Sequence, residues 1–235
     1  MSAGKLAGQV AVVTGTSRGI GRAVATLLAS EGAAVAGCAR QVSNGHFVDD
    51  LDPAQHARHL VTACDVRLRE DVIRFRDLVL ARLGAPDILV NNAGIVARAS
   101  IETLPEETWD DVLATNLKSM FLVVQAFLPA LRGRGRGRII NMASIAGRRG
   151  TPLLAAYCAA KHGVVGLTRA LAEELRPDGI AVNAICPGSV DTAMLTLGLP
   201  GAKPEMTPTE VARVALFLAA DAPVAMTGQC LDVFG

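Results

Sequence analysis

Short apolar runs rich in Val, Ile and Ala alternate along the chain with longer segments whose apolar residues recur at helical spacing. The short runs have the length of strands and occupy residues 9–14, 33–38, 59–64, 87–90, 138–143, 180–185 and 230–234. The helical pattern is clearest at 19–30, 69–83, 106–131, 155–175 and 208–219. Strands that are apolar at every position are covered on both faces, and their alternation with helices requires parallel crossovers. The pattern therefore predicts an α/β fold with a doubly wound parallel sheet of about seven strands.

Composition and charge narrow the function classes. With 235 residues and 51% hydrophobic residues, the chain has the material for a single domain over 1–235. Its 23 basic and 22 acidic residues leave a net charge of +1, so no global field favours nucleic acid or an anionic membrane. No signal peptide or run of bilayer length is apparent, and the five cysteines show no CxxC spacing. We expect a cytoplasmic protein with reduced, buried thiols.

A glycine-rich segment joins the first strand to the first helix. The stretch "VVTGTSRGIGRA" places Gly15, Gly19 and Gly21 in a G-x-x-x-G-x-G spacing. Such a turn lets backbone amides and the positive helix N-terminus face an anion without an intervening side chain. Tight packing is the alternative explanation of the glycines. The location after the first strand of a doubly wound sheet favours dinucleotide binding.

Several motifs in a fixed order resemble those of the short-chain dehydrogenase/reductase family, nearest in pattern to its 3-oxoacyl-carrier-protein reductases. The similarity runs nearly from end to end and rests on Thr14-Gly15 with Gly19 and Gly21, "CDV" at 64–66, "NNAG" at 91–94, Asn116, Ser144, Tyr157 with Lys161, and "PGSVDT" at 187–192. The resemblance implies a Rossmann-type fold, with cofactor binding by about residues 1–143 and catalysis and substrate binding by about 144–235.

The only tyrosine of the chain lies four residues before a lysine. On a helix that starts near residue 155, Tyr157 and Lys161 project from the same face. A phenol with an ordinary pKa of about 10 is a poor acid-base catalyst at neutral pH, and a nearby ammonium favours the phenolate. We therefore expect Lys161 to lower the pKa of Tyr157. The alternative is a Tyr and a Lys that only share a solvated face.

Two further residues complete the catalytic set that the resemblance implies. Ser144 closes the strand "RIINMAS" at the carboxyl edge of the sheet, and by resemblance its hydroxyl holds the substrate carbonyl while Tyr157 donates a proton. Capping of a helix or turn is its alternative role. Asn116 lies mid-helix, where asparagine is unfavourable, and by resemblance it holds a water in a proton relay to Lys161. Its alternatives are a kink cap or a solvent-facing side chain.

The end of the second strand indicates which cofactor binds. In "AAVAGCAR" the position at which NAD-dependent members carry Asp is Ala39, followed by Arg40, and Arg18 is a second basic position of the family. Guanidinium groups bind a 2′-phosphate by charge-assisted hydrogen bonds, so we predict NADPH over NADH. An ordinary solvated loop is the alternative setting for Arg40.

The remaining cofactor contacts come from the resemblance alone. They are Ser17 and Ile20 in the glycine turn, Asp65 and Val66 beside the adenine, Asn92, Ala93 and Gly94 near the ribose, Tyr157 and Lys161, and Pro187, Val190 and Thr192 near the nicotinamide.

No metal site is predicted. His56 and His59 have no acidic or cysteine partner to complete one, so both are interpreted as surface histidines. The run "RGRGRGR" at 132–138 is interpreted as a solvated loop before the fifth strand, and its alternative use is to meet the phosphate of a carrier protein or coenzyme A thioester.

The substrate is left open between a 3-oxoacyl thioester and a small ketone, sugar or secondary metabolite, or the corresponding alcohol. Asp178 stands where the 3-oxoacyl reductases often present a basic residue, which weighs against an acidic carrier. Only about twenty residues separate Pro187 from the helix near 208, so we expect a short lid and an open cleft. The link between the second and third strands is short and polar, so the helix that this link usually forms in the family is in doubt.

The sequence thus predicts an NADPH-dependent carbonyl reductase that forms a homotetramer or dimer through the apolar face of the helix at 155–175, with contacts altered where the chain stops at Gly235. An NADPH-binding sensor or interaction protein with little turnover is the alternative, and intact Ser144, Tyr157 and Lys161 speak against it.

Overall fold

A computed structural model describes residues 4–42 and 46–234. Seven parallel strands form one sheet in the order β3-β2-β1-β4-β5-β6-β7. They are β1 Val10–Thr14, β2 Ala34–Ala39, β3 Leu60–Ala63, β4 Ile88–Asn91, β5 Gly137–Met142, β6 Ile180–Pro187 and β7 Cys230–Val233. The predicted Rossmann-type doubly wound fold is confirmed. The strand order reverses between β1 and β4, the point at which ligands bind in such sheets.

Within residues 4–42 and 46–234, seven α-helices flank this sheet. They are α1 Gly19–Ser30, α2 Arg69–Arg82, α3 Glu106–Leu113, α4 Ser119–Gly133, α5 Ala155–Glu174, α6 Ala193–Gly198 and α7 Pro208–Leu216. The predicted helix at 106–131 is α3 and α4 joined by a π-helical turn, Ala114–Lys118, and a second π-helical turn, Phe217–Asp221, extends α7. Each π-helical turn holds an extra residue, which the hydrophobic spacing alone does not reveal.

Alternate residues of the strands build two cores, one on each face of the sheet. In β1, Val13 packs on the face covered by α1 and α7, and Val12 packs on the opposite face against α2, α4 and α5. Register keeps these layers continuous, since Val12 lies opposite Ala36 of β2 and Leu89 of β4. The buried strands therefore explain why their sequences are apolar throughout.

The helical stretch Glu106–Gly133 has the length and apolar composition of a membrane span, although no run of bilayer length was apparent in the sequence. Half of its most apolar window is buried within the fold. Val123, Phe127 and Leu131 pack in the core beneath the sheet. A core helix explains this composition.

The link between β2 and β3 forms two short 3₁₀ helices, Phe47–Asp50 and Pro53–Arg58, in place of the usual helix. Phe47 is fully buried and packs above Gly37, where a Cβ atom would lie 2.7 Å from the Phe47 ring. Its ring also meets the His59 ring edge to face at 5.7 Å. One aromatic side chain thus covers this part of the sheet. Ser43, Asn44 and Gly45 of the link lie outside the described residues. Gly235 also lies outside them, so the expectation of altered oligomer contacts at that residue stays a prediction.

The interpretation of His59 as a surface histidine was wrong. His59 is 8% exposed, and its Nδ1 accepts a hydrogen bond from Val35 N, so it is not a surface histidine. Burial lowers the pKa of His59. Among the described residues, no group of His, Cys, Asp or Glu side chains could hold a metal ion. All five cysteines are free thiols, but Cys158 and Cys230 are only partly buried.

The arginine run is not simply a solvated loop. Arg132 pairs with Asp178 at 2.8 Å, and Arg134 pairs with the buried carboxylate of Asp87 at 2.6 Å. Asp87 also accepts a hydrogen bond from Val10 N, so this pair ties the turn before β5 to the start of β1. Arg132 and Arg134, two of the four arginines of the run, therefore pair with acids of the same chain, which reduces the charge that is available to a carrier protein.

Candidate active site

A cleft of about 770 Å³ opens at the carboxyl edge of the sheet, beside the reversal of strand order. All but one of the residues that the sequence placed in the site line this cleft, and Asn116 is the exception. The residues that line it are Gly15, Ser17, Arg18, Gly19, Ile20, Gly21, Arg40, Asp65, Val66, Asn92, Ala93, Gly94, Ser144, Tyr157, Lys161, Pro187, Val190 and Thr192.

The glycine turn and the end of β4 are held together by hydrogen bonds. Thr14 Oγ1 accepts bonds from the backbone N–H groups of Asn92 and Ala93, at 3.0 and 3.1 Å. The Asn92 amide donates to the carbonyl oxygens of Thr14 and Gly15. A Cβ atom on Gly21 would lie 2.2 Å from the Gly15 carbonyl oxygen, so this approach requires glycine. Asn92 therefore fixes the turn, a role that the resemblance did not indicate.

The turn presents the N-terminus of α1 to the cleft. Gly15 has a φ of 76°, a left-handed conformation that favours glycine. Arg18 precedes α1 in an extended conformation without capping it through its side chain, and the first turn of α1 contains no acid. The first amides of a helix have no partner within the helix and carry partial positive charge. This end of the cleft therefore suits an anion such as a pyrophosphate.

Charged side chains surround the outer part of this end. Arg18 and Arg40 are exposed, and neither forms an ion pair within the part of the chain that the structure describes. The nearby carboxylate of Asp50 is held by Arg22 at 2.6 and 2.7 Å and by Thr26 at 3.2 Å. Because this acid is already paired, it leaves the two free guanidinium groups available to an anion.

Asp65 faces the same region and is also paired. Its carboxylate accepts hydrogen bonds of 2.7 to 3.1 Å from the side chain of Arg67. These bonds lower the pKa of Asp65, and the charge of Arg40 acts in the same direction. Sequence reasoning missed Arg22, Asp50 and Arg67. The link that carries Asp50 has no periodic pattern from which its place at the cleft could be predicted.

Lys161 lies at the other end of the cleft and is almost fully buried, with 3% of its surface exposed. Its Nζ donates a hydrogen bond of 2.7 Å to the carbonyl oxygen of Met142, at the end of β5. Burial lowers the pKa of Lys161 to about 8. A lysine in this setting changes its protonation close to neutral pH, as an acid-base group requires.

Tyr157 lies one helical turn before Lys161 on α5, and the ammonium is 5.5 Å from the centre of its ring. The two side chains thus share a face as expected. The expected effect on acidity was wrong, because burial raises the pKa of Tyr157 to about 12, although the nearby Ser144 hydroxyl opposes this effect. At neutral pH the phenol is therefore protonated and has a proton to give.

Ser144 has the capping role that the sequence left open as an alternative. Strand β5 ends at Met142, and Ser144 caps the short 3₁₀ helix Ile145–Gly147 by accepting a hydrogen bond of 3.1 Å from Ala146 N. A hydroxyl that accepts this bond keeps its own hydrogen free to donate. The cap fixes the Ser144 side chain beside Tyr157 at the cleft wall.

Asn116 lies within the first π-helical turn and is fully buried. Its amide donates to the carbonyl oxygens of Ile95 and Val112, both at 2.9 Å, and its Oδ1 accepts from Ile95 N. The side chain does not face solvent, and its bond to Val112 O at the π-helical turn agrees with the alternative of a kink cap. It ties the segment after "NNAG" to the helix behind the cleft, although its neighbour Thr115 lines the cleft.

The wall beside Tyr157 is mostly apolar and includes residues that the sequence did not single out, among them Val96, Leu154, Met194 and Leu199. The short lid forms α6, which Thr192 caps by accepting a bond from Leu195 N. Met194 Sδ lies 4.0 Å from the Tyr157 hydroxyl. The expected open cleft is therefore partly covered by α6 at its catalytic end.

Comparisons with known proteins agree with this geometry. A family model described as short chain dehydrogenase matches residues 9–198. The chain is 40% identical to a putative ketoacyl reductase of the monensin polyketide synthase from Streptomyces virginiae, covering 97% of this chain and 96% of the relative. It is 35% identical to the 3-oxoacyl-[acyl-carrier-protein] reductase of Escherichia coli, with the same coverage. The crystal structure of levodione reductase superposes with a TM-score of 0.87 at 30% identity, covering 98% of this chain and 97% of that chain.

We predict that Lys161→Met raises the stability of the protein while abolishing any turnover that uses this amine. The unfolded chain keeps the Lys161 proton up to about pH 10.5, whereas the folded chain loses it near pH 8. Burial of the charge thus costs stability below pH 8, and the cost disappears as the pH rises to about 10.5. The free energy of unfolding of the variant should exceed that of the wild type by up to about 3 kcal/mol at pH 7.

Chemical denaturation of both proteins at several pH values measures this difference. The variant's advantage should shrink between about pH 8 and 10.5. A difference that does not vary with pH would show that the Lys161 pKa is not lowered by burial.

Proposed function

The chain belongs to the short-chain dehydrogenase family and is an oxidoreductase, and from this premise we propose that it uses NADPH to reduce the ketone of a 3-oxoacyl thioester. The observation that carries the proposal is that Ser144, Tyr157 and Lys161 line the same cleft as the glycine turn and the N-terminus of α1. One pocket thus offers acid-base groups at one end and an anion-binding backbone at the other.

The residues at the glycine turn fit a dinucleotide. Gly15 and Gly21 let the turn pack tightly against Asn92, which a Cβ atom on either glycine would meet at 2.9 Å or less. The turn thereby presents the α1 amides, which suit the pyrophosphate of the dinucleotide. The exposed guanidinium groups of Arg18 and Arg40 suit a 2′-phosphate, and Ala39 leaves the end of β2 without an acid. When bound, this cofactor supplies the hydride that the ketone carbon accepts.

The chain's own residues would supply the proton. Tyr157, with a pKa of about 12, keeps its proton at neutral pH and donates it to the ketone oxygen. Ser144 donates a hydrogen bond to the same oxygen, in an orientation set by its bond from Ala146 N. Lys161, with a pKa of about 8, gives up a proton more readily than an ordinary lysine and restores the one that Tyr157 loses. Asn116 supports this relay by the role that matching residues have in the family.

The proposed substrate class is supported by the names of the relatives, which include ketoacyl and 3-oxoacyl-[acyl-carrier-protein] reductases. The mostly apolar wall at the catalytic end favours an acyl chain over a sugar. A thioester carried by coenzyme A or a carrier protein is part of the proposal, but the arginine run at 132–138 does not support it, because Arg132 and Arg134 pair with acids of the same chain. Assembly as a homotetramer or dimer stays a prediction.

Oxidation of NADPH in the presence of an acetoacetyl thioester, a diketone, a quinone and a sugar tests the proposed function. The thioester should be reduced, and Tyr157→Phe should lower kcat by about 10²- to 10⁴-fold because the proton donor is gone. Activity only on other ketones would overturn the thioester substrate. Tight binding of NADPH without turnover of any ketone would favour the alternative of a cofactor-binding sensor.

Arg40→Asp tests the cofactor assignment. Loss of a charged partner and the added repulsion should lower the ratio of kcat/KM for NADPH to that for NADH by about 10- to 100-fold. The matched control is Arg136→Asp, at an exposed arginine that does not line the cleft. An unchanged ratio in Arg40→Asp would show that this guanidinium does not bind the 2′-phosphate.

A further inference from the structure

Leu153 has a backbone conformation that is unfavourable for leucine. Its φ is 67°, and it is the only residue other than glycine with a positive φ in the ranges 4–42 and 46–234. In the left-handed region the Cβ atom of an L-residue crowds the backbone, and the exceptions are mainly Gly, Asn and Asp. Leu153 thus holds a strained conformation two residues before α5 begins.

Core packing does not explain why leucine occupies this position. The Leu153 side chain is 39% exposed, whereas its neighbour Leu154 is buried. A glycine would adopt the same φ without strain. An exposed apolar side chain in a strained turn points to a contact with something other than the core, because strain of this kind persists mainly at functional sites.

The strained turn lies at the rim of the catalytic end of the cleft. The carbonyl oxygen of Leu153 accepts a hydrogen bond of 3.0 Å from Ala99 N, which joins the 151–154 segment to the one that follows "NNAG". Thr151 and Leu154, on either side of Leu153 in sequence, line the cleft, and so does Val96. Tyr157 follows only four residues later.

The lid helix α6 forms the facing wall of this rim. Its Met194 reaches the Tyr157 hydroxyl, and a Cβ atom on its Gly198 would lie 3.1 Å from Val96. The neighbouring Leu197 is 63% exposed. A substrate that leaves the catalytic groups between these two walls would meet apolar side chains on both.

We propose that Leu153 is a specificity-determining residue that contacts an apolar chain attached to the reacting ketone. The inference rests on the proposed function and refines its substrate to a 3-oxoacyl thioester with an extended apolar acyl chain. The Leu153 side chain would contact the acyl chain, and the left-handed turn would position that side chain at the rim of the cleft.

Two variants separate the contact from the strain. Leu153→Ala removes most of the side chain and keeps a non-glycine residue in the turn, whereas Leu153→Gly removes both the side chain and the strain. Each should lower kcat/KM for a 3-oxooctanoyl thioester by about tenfold and leave that for the acetoacetyl thioester within about twofold. Leu153→Gly should have the higher midpoint of chemical denaturation. Leu78→Ala, at an exposed leucine of α2 away from the cleft, is the matched control. It should leave kcat/KM unchanged for both thioesters.

The test is the ratio of kcat/KM for the 3-oxooctanoyl thioester to kcat/KM for the acetoacetyl thioester. An equal loss on both thioesters would overturn the proposal, because Leu153 would then only position the start of α5. Unchanged kcat/KM values for both thioesters would also overturn it. If the wild type reduces neither thioester, the proposed function itself fails, and this inference fails with it.

Discussion

The hydrogen bonds between Thr14 and Asn92 are the constraint on which the site depends. They join the carboxyl ends of β1 and β4, the two strands between which the sheet reverses its order. Because Asn92 also holds the Gly15 carbonyl, the glycine turn has a fixed place relative to the segment that leads to Ile95 and Asn116. The glycine turn, the end of β4 and Asn116 are thereby held in fixed positions at one edge of the sheet.

Lys161 occupies a setting that lowers the stability of the fold at neutral pH, whereas Tyr157 is uncharged there. Burial disfavours the charged forms of both Tyr157 and Lys161, so it raises the pKa of the phenol and lowers that of the amine. The shifts move the two pKa values apart, to about 12 for Tyr157 and about 8 for Lys161, so that the Lys161 ammonium readily gives a proton to a Tyr157 phenolate. Lys161 is buried, and the hydrogen bond to Met142 only partly offsets the loss of water around its charge. A functional role therefore explains this lysine better than a stabilising role.

Much of the fold was predictable because its strands are buried on both faces. All seven strands and the bounds of α1 follow from the apolar pattern. The π-helical turn around Asn116, the packing of Phe47 over Gly37 and the burial of His59 were not predictable, because each depends on contacts between segments that local sequence does not specify. The pairing of Arg134 with Asp87 likewise joins residues that are 47 positions apart.

Many of the residues that line the cleft were predictable from motif order, but the hydrogen bonds that they form were not. The sequence placed Tyr157 and Lys161 on one helical face and predicted a lowered phenol pKa, because charge was considered and burial was not. Asn92 and Ser144 were assigned to ligands, while the structure uses both in hydrogen bonds that hold the backbone. The left-handed conformation of Leu153 could not be predicted, because leucine does not favour that conformation.

The most direct measurement of the central claim, that this cleft unites cofactor and acid-base chemistry, uses NADPH deuterated at the reactive carbon of the nicotinamide. We predict that the wild type transfers the label to the carbinol carbon of the product formed from a 3-oxoacyl thioester, as detected by mass spectrometry and NMR. Tight binding of NADPH without transfer of label from either face of the nicotinamide to any ketone tested would contradict it.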